Sequence, residues 1–120
     1  MDKILNLMGL AMKAGAAKSG SLSVEEAVKS GKAHLLVMAE DASEGTKKQL
    51  TNMAGYRAVD LLSYGTKESL GRALGKEERS AVAITEAGFA KSIKEQILSV
   101  NTDKDAPKTK DSVYGGANEN

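Results

Sequence analysis

Three short, unbroken apolar runs constrain this chain most: His34-Leu35-Leu36-Val37-Met38, Ala58-Val59-Asp60-Leu61-Leu62 with its single aspartate, and Ala81-Val82-Ala83-Ile84. Apolar and polar residues do not alternate in them, so each suits a strand covered on both faces by helices. Helical segments separate the runs. Leu50, Met53 and Ala54 form one inner stripe behind a Ser43 cap, and Leu70, Ala73 and Leu74 form another behind Thr66. Gly55 and Gly75 stand where C-terminal caps belong. Ahead of the first run, Ile4, Leu7, Met8 and Ala11 recur at helical spacing, with Leu5, Leu10 and Met12 widening the face, and the helix ends around Gly15. Ala17 to Ser19 is long enough for a brief strand. Ser23-Val24-Glu25-Glu26 has the form of a capping box, opening a short helix with Val24, Ala27 and Val28 inside and Gly31 at its close. Phe89, Ile93 and Ile97 mark a last helix. The alternation predicts an α/β fold, a three-layer α/β/α sandwich around a small four-stranded mixed sheet.

The chain of 120 residues is expected to form one domain over residues 1–100, followed by a polar tail over 101–120. That tail holds the only proline, Pro107, and only Val113 and Tyr114 as sizeable apolar residues, too few to offset its ordering entropy, so it is expected to be disordered. The first twenty residues imitate a secretory signal, but Asp2, Asn6 and Lys13 interrupt it, and a buried first helix is the better reading. No stretch reaches the roughly 18 apolar residues of a membrane span. The expectation is a cytoplasmic protein, monomeric, without membrane contact.

Chemistry is excluded more readily than it is found. There is no cysteine and only one histidine, His34, so thiolate metal sites, disulfides and thiol nucleophiles are excluded together. Gly71-Arg72-Ala73-Leu74-Gly75-Lys76-Glu77 has the look of a phosphate loop. Its glycines are too close, however, and Glu77 stands where a hydroxyl is needed, so Gly75 reads as a helix cap. Glu40-Asp41 at a strand end is the best acid pair, but it also reads as a turn entering a helix. No nucleophile, base and orienting group assemble, and neither catalysis nor a cofactor is expected. With a net charge of +1, a nucleic-acid site must be a local patch. The aromatics Tyr56, Tyr64, Tyr114 and Phe89 lie outside the strand cores, which excludes a sheet platform for stacking bases.

The informative segment runs Lys18-Ser19-Gly20-Ser21-Leu22-Ser23-Val24-Glu25-Glu26-Ala27-Val28-Lys29-Ser30-Gly31-Lys32, then an apolar strand ending Ala39-Glu40-Asp41. Further on come Thr66-Lys67-Glu68-Ser69-Leu70-Gly71-Arg72-Ala73-Leu74-Gly75 and Gly88-Phe89-Ala90. In this order the segments resemble the ribosomal protein L-seven-Ae family of kink-turn RNA binders, and its bacterial YlxQ-like branch in particular, over roughly residues 2 to 98. The resemblance implies a non-catalytic protein that binds structured RNA, ribosomal RNA included, in association with the ribosome or translation factors. It places the RNA site at Gly20, Ser21, Leu22, Ser23 and Glu26, with Tyr64, Gly65 and Thr66 in a second loop that covers an extruded base. Lys18, Lys29 and Lys32 are the nearby cations for phosphate. Leu22, Ser23 and Glu26 stand where RNA-binding members carry Asn-Glu and then Lys. The alternative is therefore a protein–protein adaptor that keeps the fold without the RNA site.

Removing residues 101–120 is expected to change stability by no more than about 0.5 kcal/mol. Thermal melts of the truncated and full chains check this, and a large drop would show that the tail is docked.

Overall fold

The computed structural model describes residues 2–105. Five helices and four strands alternate: α1 (Lys3–Lys13), β1 (Ala17–Ser19), α2 (Ser21–Lys29), β2 (Leu35–Met38), α3 (Glu44–Arg57), β3 (Asp60–Ser63), α4 (Lys67–Leu74), β4 (Ala81–Ile84) and α5 (Ala87–Asp105). The sheet order is β1-β4-β2-β3. β4 runs antiparallel to both its neighbours, and β2 pairs with β3 in parallel. α1, α4 and α5 pack together on one side, and α2 and α3 on the other. This is the expected three-layer α/β/α sandwich with a mixed sheet. Among the described residues, no helix is long and apolar enough to cross a membrane.

Leu35, Leu36, Val37, Val82, Ala83 and Ile84 fill the centre, covered by Met8, Leu70, Ile93 and Ile97 on one face and Val24, Val28 and Leu50 on the other. Each larger side chain contributes about 1.5–3 kcal/mol by leaving water. Burial on both faces holds for β2 and β4. It fails for β3, whose Asp60 and Ser63 are exposed and whose Leu61 and Leu62 are only half-buried. β3 is a sheet edge, and the Asp60 carboxylate is held by Lys94 of α5 at 2.7 Å.

Three helices open on side-chain caps, Ser43 and Thr66 as expected and Asp2 in addition. The Asp2 carboxylate accepts from the amides of Ile4 and Leu5 in α1, Ser43 caps α3, and Thr66 with Ser69 forms a reciprocal box on α4. The expected box on α2 is not formed. Gly20, at φ 92°, is the N-cap, and α2 starts at Ser21 with no side-chain cap. Glycine tolerates that backbone turn, which carries the chain into the helix two residues before Ser23. The Val24 amide already donates to the Gly20 carbonyl at 2.9 Å, so Ser23 and Glu26 lie inside the helix.

Helices α1 to α4 all close with the same paired bonds, which satisfy otherwise orphaned carbonyls. In α2, Gly31 donates to Val28 and Lys32 to Ala27; in α4, Gly75 donates to Arg72 and Lys76 to Gly71. In α3 the residue in the left-handed position is Ala58, at φ 58°, rather than the expected Gly55, which lies within the helix. α5 continues through Asp105, so the backbone of 101–105 is helical; the rest of the expected tail lies outside the described residues.

Gly71 is fixed by space. A Cβ there would lie 2.0 Å from the Glu77 carbonyl oxygen, so α4 touches the segment leading to β4 at this point. Gly71→Ala is expected to cost about 1–3 kcal/mol, since backbone must move. Ala58→Gly relieves a left-handed alanine worth roughly 1–2 kcal/mol, less about 0.5–1 kcal/mol of glycine entropy, for a net gain of roughly 0–1.5 kcal/mol. Urea unfolding midpoints of the two variants should move in opposite directions.

Candidate functional site

The register places four chain segments at one end of the sheet. Met38 pairs with both Ser63 and Ala81, and Ser19 pairs with Val82. The chain therefore leaves β1, β2 and β3, and enters β4, at the same end. The turn Gly20–Ser23 and the loop Tyr64–Thr66 both lie there, as do Glu40 and Asp41. Hydrogen bonds lace them together: the Glu40 amide donates to the Gly65 carbonyl at 2.7 Å, and the Lys67 amide donates to Asp41 Oδ1 at 2.8 Å. Asp41 thus satisfies a first-turn amide of α4, which gives the acidic pair a structural role.

Arg79 joins the two loops. Its amide donates to the Lys67 carbonyl at 3.1 Å, while its Nε donates to Ser19 Oγ at 3.3 Å. Beside it opens a cleft of about 260 Å³ between α2 and α3, with Gly20, Ser21, Thr46, Gln49, Met53 and Arg79 among its walls. The amides of Ser21, Leu22 and Ser23 precede the first internal bond of α2 and have no side-chain cap. They are exposed donors at the positive end of a helix, a setting that favours phosphate and other acceptors. Leu22 is 81% exposed on the same turn.

The other expected residues divide between the two ends of the molecule. Lys18, Glu26 and Lys32 line an open cavity of about 660 Å³ with His34 and Thr85, at the opposite end of the sheet from Arg79. Lys29 lies on the outer face of α2, 3.0 Å from Glu25. Gly20, Ser21, Leu22 and Ser23 alone cluster with the second loop's end of the sheet. Sequence reasoning missed Arg79, Thr46 and Gln49. Arg79 was legible in principle, because a residue just before an antiparallel strand lies where its neighbours end. Gly75 is the left-handed cap of α4, so the glycine pair at 71 and 75 forms no phosphate loop. Among the described residues, no three His, Cys, Asp or Glu side chains cluster as metal ligands.

Within the second loop, Thr66 caps α4, and Tyr64 packs against the core with its hydroxyl donating to the Asp2 carboxylate. Partial burial, the Asp2 hydrogen bond and the nearby Asp2 and Glu40 charges push Tyr64 up to about 12. Partial burial pushes Asp2 up, but the Tyr64 hydroxyl and the Leu5 and Ile4 amides outweigh it and hold Asp2 below the usual carboxylate range. The raised phenol contributes stability that is full below its ordinary value of 10.0 and is lost as pH rises toward about 12. The lowered carboxyl contributes stability that is full above 3.8 and is lost as pH falls through its folded value. An ultraviolet tyrosine titration should show one late-ionising phenol near pH 12 that disappears in Tyr64→Phe. Persistence of that phase would show that another phenol is the late-ionising one.

Residues 2–94 match the Ribosomal protein L7Ae/L30e/S12e/Gadd45 family. The chain is 38% identical over 84 residues to the RNA-binding protein YlxQ of Bacillus subtilis (strain 168), spanning 70% of this chain and 84% of that one. It is 35% identical over 96 residues to the RNA-binding protein YlxQ of Enterococcus faecium, spanning 80% and 92%. A solved structure of a protein of unknown function from Bacillus halodurans superposes with a TM-score of 0.78 at 34% identity, covering 82% of this chain and 99% of that one. On both sequence and fold, the chain belongs to the Ribosomal protein L7Ae/L30e/S12e/Gadd45 family.

Proposed function

We propose that this protein is a non-catalytic binder of structured RNA, acting as a cytoplasmic monomer in association with the ribosome or translation, with a kink-turn-type site at the start of α2. The observation that carries this reading is the uncapped first turn of α2, opened by Gly20, beside a cleft that holds Arg79. The relatives named as RNA-binding proteins and the ribosomal family support it. Backbone amides at a helix start donate to phosphate or base-edge acceptors, and a guanidinium adds a charged, planar donor set. Leu22 has no group with which to read a base edge, so the amides, Arg79 and the cleft hydroxyl and amide of Thr46 and Gln49 are the polar groups offered to RNA here. The adaptor reading draws on one observation, the exposure of Leu22 on this same turn.

A kink-turn RNA titrated against the protein tests the proposal. Two to four phosphate contacts give a log–log salt slope of roughly −2 to −4 between about 50 and 200 mM salt. Arg79→Ala, checked by melting for an intact fold, should weaken binding by about 1.5–3 kcal/mol and flatten the slope by about 0.7–0.9. Absent binding, or binding indifferent to salt, would leave the adaptor reading.

A further inference from the structure

Helix α3 carries no aspartate or glutamate between Glu44 and Asp60, although the chain holds 16 acidic residues in all. Within that stretch lie Lys47, Lys48 and Arg57, none of which forms an ion pair among the described residues. Its core contribution is small: Leu50 and Ala54 are buried and Met53 is half-buried. Thr46 and Lys47 are half-buried as well, and the other residues of the helix are exposed. Lys48, Asn52 and Tyr56 follow one another at steps of four, which puts them in one row along the helix. Tyr56 is 85% exposed, with the Arg57 guanidinium 5.5 Å from its ring centroid. A tyrosine normally buries its apolar body, so a ring left open beside a cation is a surface suited to a flat, electron-rich partner.

We infer that this face of α3 is a second RNA contact, on which Tyr56 and Arg57 stack an unpaired base while Lys47 and Lys48 meet the backbone leading to it. The inference rests on the RNA-binding reading and extends it beyond the α2 turn. Continuity supports it: Thr46 and Gln49, from the start of the same helix, line the cleft beside Gly20 and Arg79. At about 1.5 Å per residue, Tyr56 lies roughly 15 Å along the helix from Thr46. From Thr46 to Arg57, α3 itself offers an RNA strand no carboxylate, but Lys47, Lys48, Thr51 and Asn52. Stacking on an aromatic tolerates any base, because every base has a π-face.

The test compares a blunt kink-turn RNA with the same RNA carrying a single-stranded extension of roughly eight nucleotides on either strand in turn. Binding to the full chain is followed by fluorescence anisotropy. One of the two extensions should tighten binding by about 5- to 150-fold, the range for one base stacked on one aromatic. Tyr56→Ala should abolish that gain and leave blunt-RNA affinity unchanged, while Tyr56→Phe retains it. Lys47→Ala with Lys48→Ala should flatten the salt slope for the extended RNA by about 0.7 per lysine. Tyr56 is exposed, so its variants should melt with the parent chain. If blunt RNA binds and neither extension helps, or if Tyr56→Ala keeps the full gain, the α3 contact is wrong and the face belongs to another partner. If neither RNA binds at all, the RNA reading itself falls, and this inference with it.

Discussion

The His34 amide donates to the Ile84 carbonyl and the Ala39 amide to the Ser80 carbonyl, so β2 is joined to β4 beyond both ends of the strand pair. β1 is joined to the other edge of β4 in the same antiparallel sense. β4 is thus the strand on which the sheet is assembled, buried on both sides and flanked on both edges. Its direction has a chemical consequence. Because it runs against β1 and β2, the residue that precedes it, near Arg79, arrives where those strands finish. A parallel β4 would have carried Arg79 to the far end, beside Lys18 and Lys32. The cleft beside Gly20 depends on this antiparallel pairing as much as on any residue that lines it.

Hydrogen-bond accounting separates the scaffold from the site. Asp2, Ser43 and Thr66 spend their side chains on the first turns of α1, α3 and α4, and Asp41 spends its carboxylate on Lys67. Closing bonds satisfy the helix ends around Gly15, Gly31, Ala58 and Gly75. The first turn of α2 is left to solvent or ligand. A side-chain cap in place of Gly20 would have been worth only a few tenths of a kcal/mol to stability. The same group would have competed with any bound acceptor for the amides of Ser21 to Ser23. The second loop shows the opposite choice, since Tyr64 is held by Asp2 and Gly65 by Glu40. It serves the site by fixing its geometry.

Much of this fold was legible in the residues. The apolar runs at 34–38 and 81–84 marked the two central strands, and Ser43, Thr66 and Gly75 marked helix ends that local chemistry alone decides. The failures share a cause, which is competition between equivalent local signals. Ser23 and Glu26 satisfy the capping-box pattern, but Gly20 offers an earlier start, and only the β1 pairing fixes where the chain enters the helix. Gly55 satisfies the C-cap pattern, but the strand register of β3 draws the helix on to Ala58, which accepts a left-handed backbone to close it. The run at 58–62 is apolar enough for a central strand, and nothing within it reports that it lies at an edge. The candidate site was half-legible. The α2 turn follows from a glycine before a helix, whereas Arg79 enters through a contact across 60 residues with Ser19.

With a net charge of +1, the proposed RNA contact has to be reconciled with a nearly balanced surface. Its field at a distance is weak, so steering contributes little, and encounter rates belong nearer the neutral 10⁵–10⁶ M⁻¹s⁻¹ than the steered limit. Affinity must then come from contacts at short range, where a few unpaired donors outweigh distant carboxylates. Acidic side chains do stand near the cleft: Glu78 is in its wall, and Glu40 and Glu44 lie at the same end of the sheet. They oppose a phosphate placed at random over this surface. On the proposed track onto α3, no carboxylate lies between Glu44 and Asp60 in the sequence, so repulsion there is weaker than around the cleft mouth. Specificity on a near-neutral protein thus follows from repulsion around an open track as well as from attraction within it.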